Sequence, residues 1–194
     1  MDGESTKERL LRAARALFDE HGPEGLSMRR VAVVVGITPM AIYKHYADKD
    51  ALLNALMRDG FASWEARVKR IENTDPAAWL RELGEAFLDF ALDEPRRYEA
   101  AFLLKATEAR QYPSDFAAGR SPVMLEVHRK IEQLSHDAES EFRAVDVGLA
   151  IAALAQGLVS MYRAGRFASE EDFRASYRRA LDHCLTSYLR ELDR

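Results

Sequence analysis

Apolar residues recur along this chain at three- and four-residue spacing rather than alternating, and that period predicts helices nearly throughout. Leu10, Ala14, Leu17 and Phe18 form one such stripe. Its helix is bounded by Ser5-Thr6-Lys7-Glu8, a capping-box pattern, and by His21-Gly22-Pro23, where Gly and Pro stop a helix. Thr38-Pro39, Asp75-Pro76, Glu94-Pro95 and Ser121-Pro122 mark further starts, because a polar side chain accepts from free N–H groups and Pro is tolerated at the first helical position. Asp48 and Ser169 can cap two more. The pattern predicts about nine helices, near 6–21, 28–35, 39–45, 49–71, 76–93, 96–109, 121–136, 143–166 and 170–192, with 111–119 as a loop. The fold class is all-α.

Composition narrows the function more by exclusion than by assignment. With 194 residues, 47% hydrophobic and 31% charged, the chain can build one large or two modest cores and is not disordered. The acidic start MDGESTKERLL has no secretory apolar run, and no later stretch reads as the roughly 18 apolar residues of a membrane span, so a soluble cytoplasmic protein with no membrane partner is expected. The single cysteine, Cys184, fits a reducing compartment. His21, His45, His128, His136 and His183 include no i,i+4 pair, and there is no nucleophile elbow, Gly-rich phosphate loop or His-Glu-x-x-His. No metal, cofactor or catalytic residue is therefore assigned, and the chain is not read as an enzyme.

Chemistry concentrates between Ser27 and Leu53. A short helix from Met28 to Val35 ends at Gly36, which can turn where a side chain would clash; Ile37 plugs the turn and Thr38-Pro39 starts a second short helix. Two short helices joined by a tight Gly-containing turn form a helix-turn-helix, whose second helix fits the DNA major groove. Val31, Ala32, Val35, Ile37, Ile42 and Tyr46 can point inward together, leaving Met40, Ala41, Lys44 and His45 outward. Arg29, Arg30, Lys44 and Lys49 border that face, with Ser27 and Tyr43 able to hydrogen-bond phosphate oxygens. Net charge is −4, and the eight Lys and Arg among the first fifty residues are matched by eight Asp and Glu. DNA binding must come from local placement rather than bulk charge.

Gly36-Ile37-Thr38-Pro39, Ile42-Tyr43-Lys44-His45-Tyr46, Asp48-Lys49-Asp50 and Leu52-Leu53 resemble, in order and spacing, the TetR family of transcriptional regulators. The resemblance implies an N-terminal DNA-binding domain over 1–48 and a helical effector-binding and dimerisation domain over 49–194. It further implies that Pro39, Met40, Ala41 and Lys44 lie nearest the base edges with Arg29, while Ser27, Tyr43, His45 and Lys49 hold phosphates. Val33 and Val34 depart from the family, where these positions are usually polar, and have no assigned role.

By the same resemblance, the last two helices pair with their symmetry mates in a homodimer, and a small-molecule effector in the C-terminal domain shifts the helix beginning at Asp48. The residues offered for the seam are Gly148, Ala152, Ala155 and Val159 with Tyr177, Leu181, Cys184 and Tyr188; ordinary intrachain core is the alternative. Candidate pocket residues are Phe61, Trp64, Trp79, Phe87, Phe90, Phe102, Met124, His128 and Met161, with His128 or Glu108 as polar anchor, again with plain core as the alternative. The expectation is a dimeric repressor of a near-palindromic double-stranded operator, released by an unknown apolar or aromatic effector. A helical interaction protein whose helix-turn-helix packs against another protein is one rival reading, and a small helical enzyme is a second.

Overall fold

The structure, a computed structural model, describes residues 4–134 and 140–192; His136 lies outside them. Among the described residues are ten α-helices and no strand: α1 (Thr6–His21), α2 (Met28–Val35), α3 (Pro39–Ile42), α4 (Lys49–Val68), α5 (Pro76–Asp93), α6 (Pro95–Tyr98), α7 (Ser114–Ala117), α8 (Pro122–Leu134), α9 (Ser140–Arg163) and α10 (Glu170–Leu192). The all-α expectation stands, with local differences. A continuous helix over 96–109 is replaced by α6 and a single π-helical turn over Glu99–Leu103, where the Leu104 N–H donates to the Glu99 carbonyl at 2.9 Å. Within the expected 111–119 loop, the short α7 forms, its Asp115 carboxylate accepting from the Gln111 N–H at 2.8 Å.

Contacts divide the chain into two units, and not at 48/49. The first comprises the chain up to Ser63 with Glu94–Ala109; the second comprises Trp64–Asp93 and the chain from Arg110 onward. The boundary moves because Leu52, Ala55 and Leu56 of α4, and Ala100 beyond α6, are buried in one core with Leu10, Leu17 and Phe18 of α1 and Val31 of α2. Fully burying each large apolar side chain of this core contributes on the order of 1.5–3 kcal/mol, which outweighs any tendency of α4 to stand apart. Sequence signals at the helix ends act as read: Ser5 and Glu8 form the reciprocal capping box of α1, and the Asp75 carboxylate accepts from the Ala78 N–H at 2.7 Å. Glu94 does not cap α6 with its side chain.

In the second unit, α8 packs on α5 and α9, and α10 packs on the same two helices. The α5–α10 seam is joined by charge at its rim. Arg174 pairs with Asp89 at 2.9 Å, Arg178 with Glu85 at 2.8 Å, and Arg81 with Asp182 at 3.0 Å. Inside the seam, Phe173, Tyr177, Leu181 and Leu185 are buried at helical spacing.

Helix α9 corrects two expectations. By length and composition alone, Ala144–Arg163 is apolar enough to cross a membrane, where no such stretch was expected, but the core helix of a globular protein passes the same test. Ala144, Gly148, Ile151, Ala155 and Val159 form its buried face, the three- and four-residue spacing of a helix packed on one side. The proposed dimer stripe therefore fails at Gly148, Ala155, Val159, Tyr177 and Leu181, which are covered by their own chain and have almost no surface left for a partner. Gly148 is small because α8 presses on it: a Cβ there would lie 2.9 Å from Met124 Cε and 3.3 Å from His128 Cδ2. Ala152, Cys184 and Tyr188 are half-buried.

Candidate DNA-binding interface

Three local devices fix α2 and α3. Ser27 caps α2, its Oγ accepting from the Arg30 N–H at 3.2 Å, and the Arg30 guanidinium donates to the Gly25 carbonyl at 2.7 Å. Gly36 ends α2 at φ 78°, ψ 31°, the left-handed region that favours glycine, so that the Ile37 N–H reaches back to the Ala32 carbonyl at 3.0 Å. Thr38 then caps α3, accepting from the Ala41 N–H at 3.3 Å, with Pro39 in the first helical position. The α3 helix is shorter than the expected 39–45: beyond Ile42 the chain turns, with both the His45 and Tyr46 N–H groups donating to the Ile42 carbonyl.

Under this frame Val31, Ala32, Ile42 and Tyr46 are buried, and Val35 and Ile37 pack partly against the same core. The Tyr46 hydroxyl donates to the Lys7 carbonyl at 3.4 Å, and Lys7 Nζ lies 5.8 Å from the Tyr46 ring centroid, tying the end of the motif to α1. Burial holds the Tyr46 phenol above its ordinary pKa. The opposite face is open. Arg29, Pro39, Met40, Tyr43, Lys44, His45 and Lys49 are exposed, Met40 at 76%, while Ser27 and Ala41 are half-buried. Among the described residues, Arg29 and Lys44 have no side-chain partner, and Lys49 Nζ makes one long contact to the Pro23 carbonyl at 3.5 Å. Two cations without partners beside an apolar tip form a surface able to meet phosphates and base edges. Val33 and Val34 are exposed at 66% and 58%; nothing in the structure explains them.

The candidate effector residues fall into separate groups. In the first unit, Phe61 meets Phe102 edge-on at 5.2 Å. In the second, Trp64 meets Phe87 and Phe90 at 5.6 and 5.7 Å, and Lys130 Nζ lies 5.7 Å from the Trp79 ring. Trp64, Trp79, Phe87, Phe90 and His128 are buried and Met124 is half-buried. Met161 is exposed and does not line an interior. Glu108 is exposed and ion-paired with Arg58, so it is not the interior polar anchor. His128 keeps that possibility: its Nε2 is buried with no hydrogen-bond partner among the described residues, and burial lowers its pKa, opposed by Glu132. No group of three or more metal-ligating side chains occurs among the described residues.

Sequence reasoning missed Asn54, a buried carboxamide on α4 bonded to Thr107 and Glu108. A polar residue between Leu53 and Ala55, inside an apolar run, was the available signal.

Residues 10–56 match the family described as bacterial regulatory proteins, tetR family, and residues 80–184 match the tetracyclin repressor-like C-terminal domain. The chain is similar to the HTH-type transcriptional repressor AcnR of Corynebacterium efficiens, 32% identical over 95 residues that span 49% of this chain and 45% of the relative. It is also similar to the HTH-type transcriptional regulator SAR2658 of Staphylococcus aureus, 29% identical over 56% of each chain. Matches thus span about half the length of these curated relatives. A TetR variant from Acinetobacter baumannii AYE, solved in complex with minocycline, shares the fold with a TM-score of 0.71 at 22% identity, covering 98% of this chain and 99% of that one. A Rhodococcus sp. RHA1 protein of unknown function does so at 0.71 and 21% identity, covering 100% and 98%. With a family match at each end of the chain, and the second over more than half its length, this protein belongs to the TetR family of bacterial regulatory proteins.

Proposed function

We propose that this protein is a cytoplasmic, ligand-responsive transcriptional repressor that binds a near-palindromic operator as a dimer and is released when a small apolar or aromatic molecule binds the second unit. The observation that carries the reading is the face built on α3 and the turn after it: Met40 on the helix and Tyr43, Lys44 and His45 in the turn stand exposed above buried Ile42. A pinned helix with a mixed outer face is suited to a groove. Lys44 and Arg29 offer donors to guanine, Met40 and Ala41 meet thymine methyls, and Ser27, Tyr43, His45 and Lys49 take phosphates.

Two such heads read successive major grooves only if held about 34–36 Å apart, which calls for a dimer. We assign its seam to the other face of α9: Leu149, Ala153, Gly157 and Met161 recur at four-residue spacing, all exposed, and nothing lies within 4 Å of where a Gly157 Cβ would stand. Covering this apolar face with a second copy removes it from water, and the absent side chain at Gly157 permits close approach. Ala152, Cys184 and Tyr188 remain in the proposed seam.

Trp64, Trp79, Phe87, Phe90, Met124 and His128 support an apolar or aromatic effector with one polar contact. Such a molecule releases DNA only through a higher affinity for the released state. Selection of duplexes from a random pool tests the reading: enrichment of a near-palindrome supports it, and no enrichment at low salt contradicts it.

A further inference from the structure

Residues 94–109 are tied to α4 along its first unit stretch. The Ser63 hydroxyl donates to Glu94 at 3.1 Å, and the Arg97 guanidinium donates to Glu94 at 2.7 Å and to Ser63 at 3.2 Å. Gly60 has no side chain where this segment crosses: a Cβ there would lie 2.8 Å from the Arg97 carbonyl oxygen and 2.9 Å from the Ala101 nitrogen, backbone atoms that cannot swing aside. The segment also reaches α1, Arg96 Nε donating to the Asp19 carbonyl at 3.1 Å.

At the other end stands Asn54, 4% exposed. Its Nδ2 donates to Thr107 Oγ1 at 2.9 Å and its Oδ1 accepts from the Glu108 N–H at 3.1 Å, while Arg58, one turn further along α4, is ion-paired with Glu108. A buried carboxamide is costly unless both ends are bonded, and when both are bonded it accepts only a narrow range of placements. Asn54 follows Lys49 by five residues on the same helix, whose first turn Asp48 caps through the Ala51 N–H at 2.7 Å.

We propose that Asn54 is a positioning residue for DNA reading. By bonding the 107–108 turn it sets where the start of α4, with Lys49 and the preceding α3, stands. Residues 94–109 thereby form part of the DNA-reading body, although thirty residues of the second unit separate them from it in sequence. The proposal rests on Ser27–Lys49 being the DNA face.

The test uses the full chain and a duplex enriched from a random pool. Thr107→Val keeps the side-chain shape without the hydroxyl, Thr107→Ser keeps the hydroxyl, and Asn54→Leu removes the carboxamide. Thr107→Val weakens duplex binding about fivefold, the scale of one lost hydrogen bond, while Thr107→Ser binds like the parent. The Asn54→Leu/Thr107→Val pair is no weaker than Asn54→Leu alone. Duplex binding also slows hydrogen exchange at the Glu108 amide. Thr107→Val binding as tightly as the parent, additive losses in the double variant, or a Glu108 amide indifferent to duplex each overturns the proposal. Should Asn54→Leu not fold, the exposed Thr107 variants decide alone. A parent chain that binds no duplex contradicts the DNA reading itself; a binding parent with an indifferent Thr107→Val contradicts only this proposal.

Discussion

The Tyr177 hydroxyl donates to the Gly84 carbonyl at 3.0 Å inside the α5–α10 seam, directly beside the place where Gly84 lacks a side chain. A Cβ on Gly84 would come 2.0 Å from Leu181 Cδ2, so the Leu181 side chain occupies the space that a side chain at position 84 would need. Gly84→Ala should cost about 1–3 kcal/mol by overpacking, and Tyr177→Phe about 1 kcal/mol by removing one buried hydrogen bond. Denaturant midpoints at constant slope measure both. A Gly84→Ala protein as stable as the parent would mean that the seam is looser than described.

Buried His128 gives stability a pH dependence of defined sign. Its pKa is lowered by burial from an ordinary value of 6.5, so the unfolded chain takes up the proton first as pH falls. The unfolded state then binds more protons. Its contribution is fully present above the unfolded value and is lost as pH drops through it toward the folded pKa. Comparing unfolding at about pH 7.5 and about pH 5.5, His128→Leu should lose less stability than the parent. Equal losses would remove His128 as the source.

Two glycines of α9 separate core from seam. Gly148 faces Met124 and His128, so Gly148→Leu should destabilise the folded chain. Gly157 faces open space, so Gly157→Leu should leave the monomer folded, its helix gaining up to about 1 kcal/mol of propensity, while blocking a second copy. Sedimentation should report a monomer for Gly157→Leu where the parent is a dimer. A Gly157→Leu dimer would move the seam elsewhere.

Local signals carried the first unit well. Ser5, Thr38-Pro39 and Asp48 act at the helix starts where their chemistry requires it, and the inward set Val31, Ala32, Ile42 and Tyr46 follows from helical period alone. The α9 face did not follow. Both sides of that helix are apolar, and a small residue such as Gly148 marks close helix approach without saying whether the neighbour belongs to the same chain or another. The 94–109 segment was illegible for a different reason: no Gly interrupts it, and its only Pro stands at the start, so propensity reads one helix where packing against α4 imposes a π-turn and a loop. Such tertiary overrides leave no trace in spacing.

Whether the Ser27–Lys49 face holds DNA is measured most directly by duplex affinity as a function of salt for the parent and for Tyr43→Phe/Lys49→Ala. Phosphate contacts release counterions, so log affinity of the parent should fall linearly and steeply with log salt. The double variant should bind more weakly at every salt, with a slope shallower by about one for the lost Lys49 charge. A double variant that matches the parent in both affinity and slope would contradict the assignment.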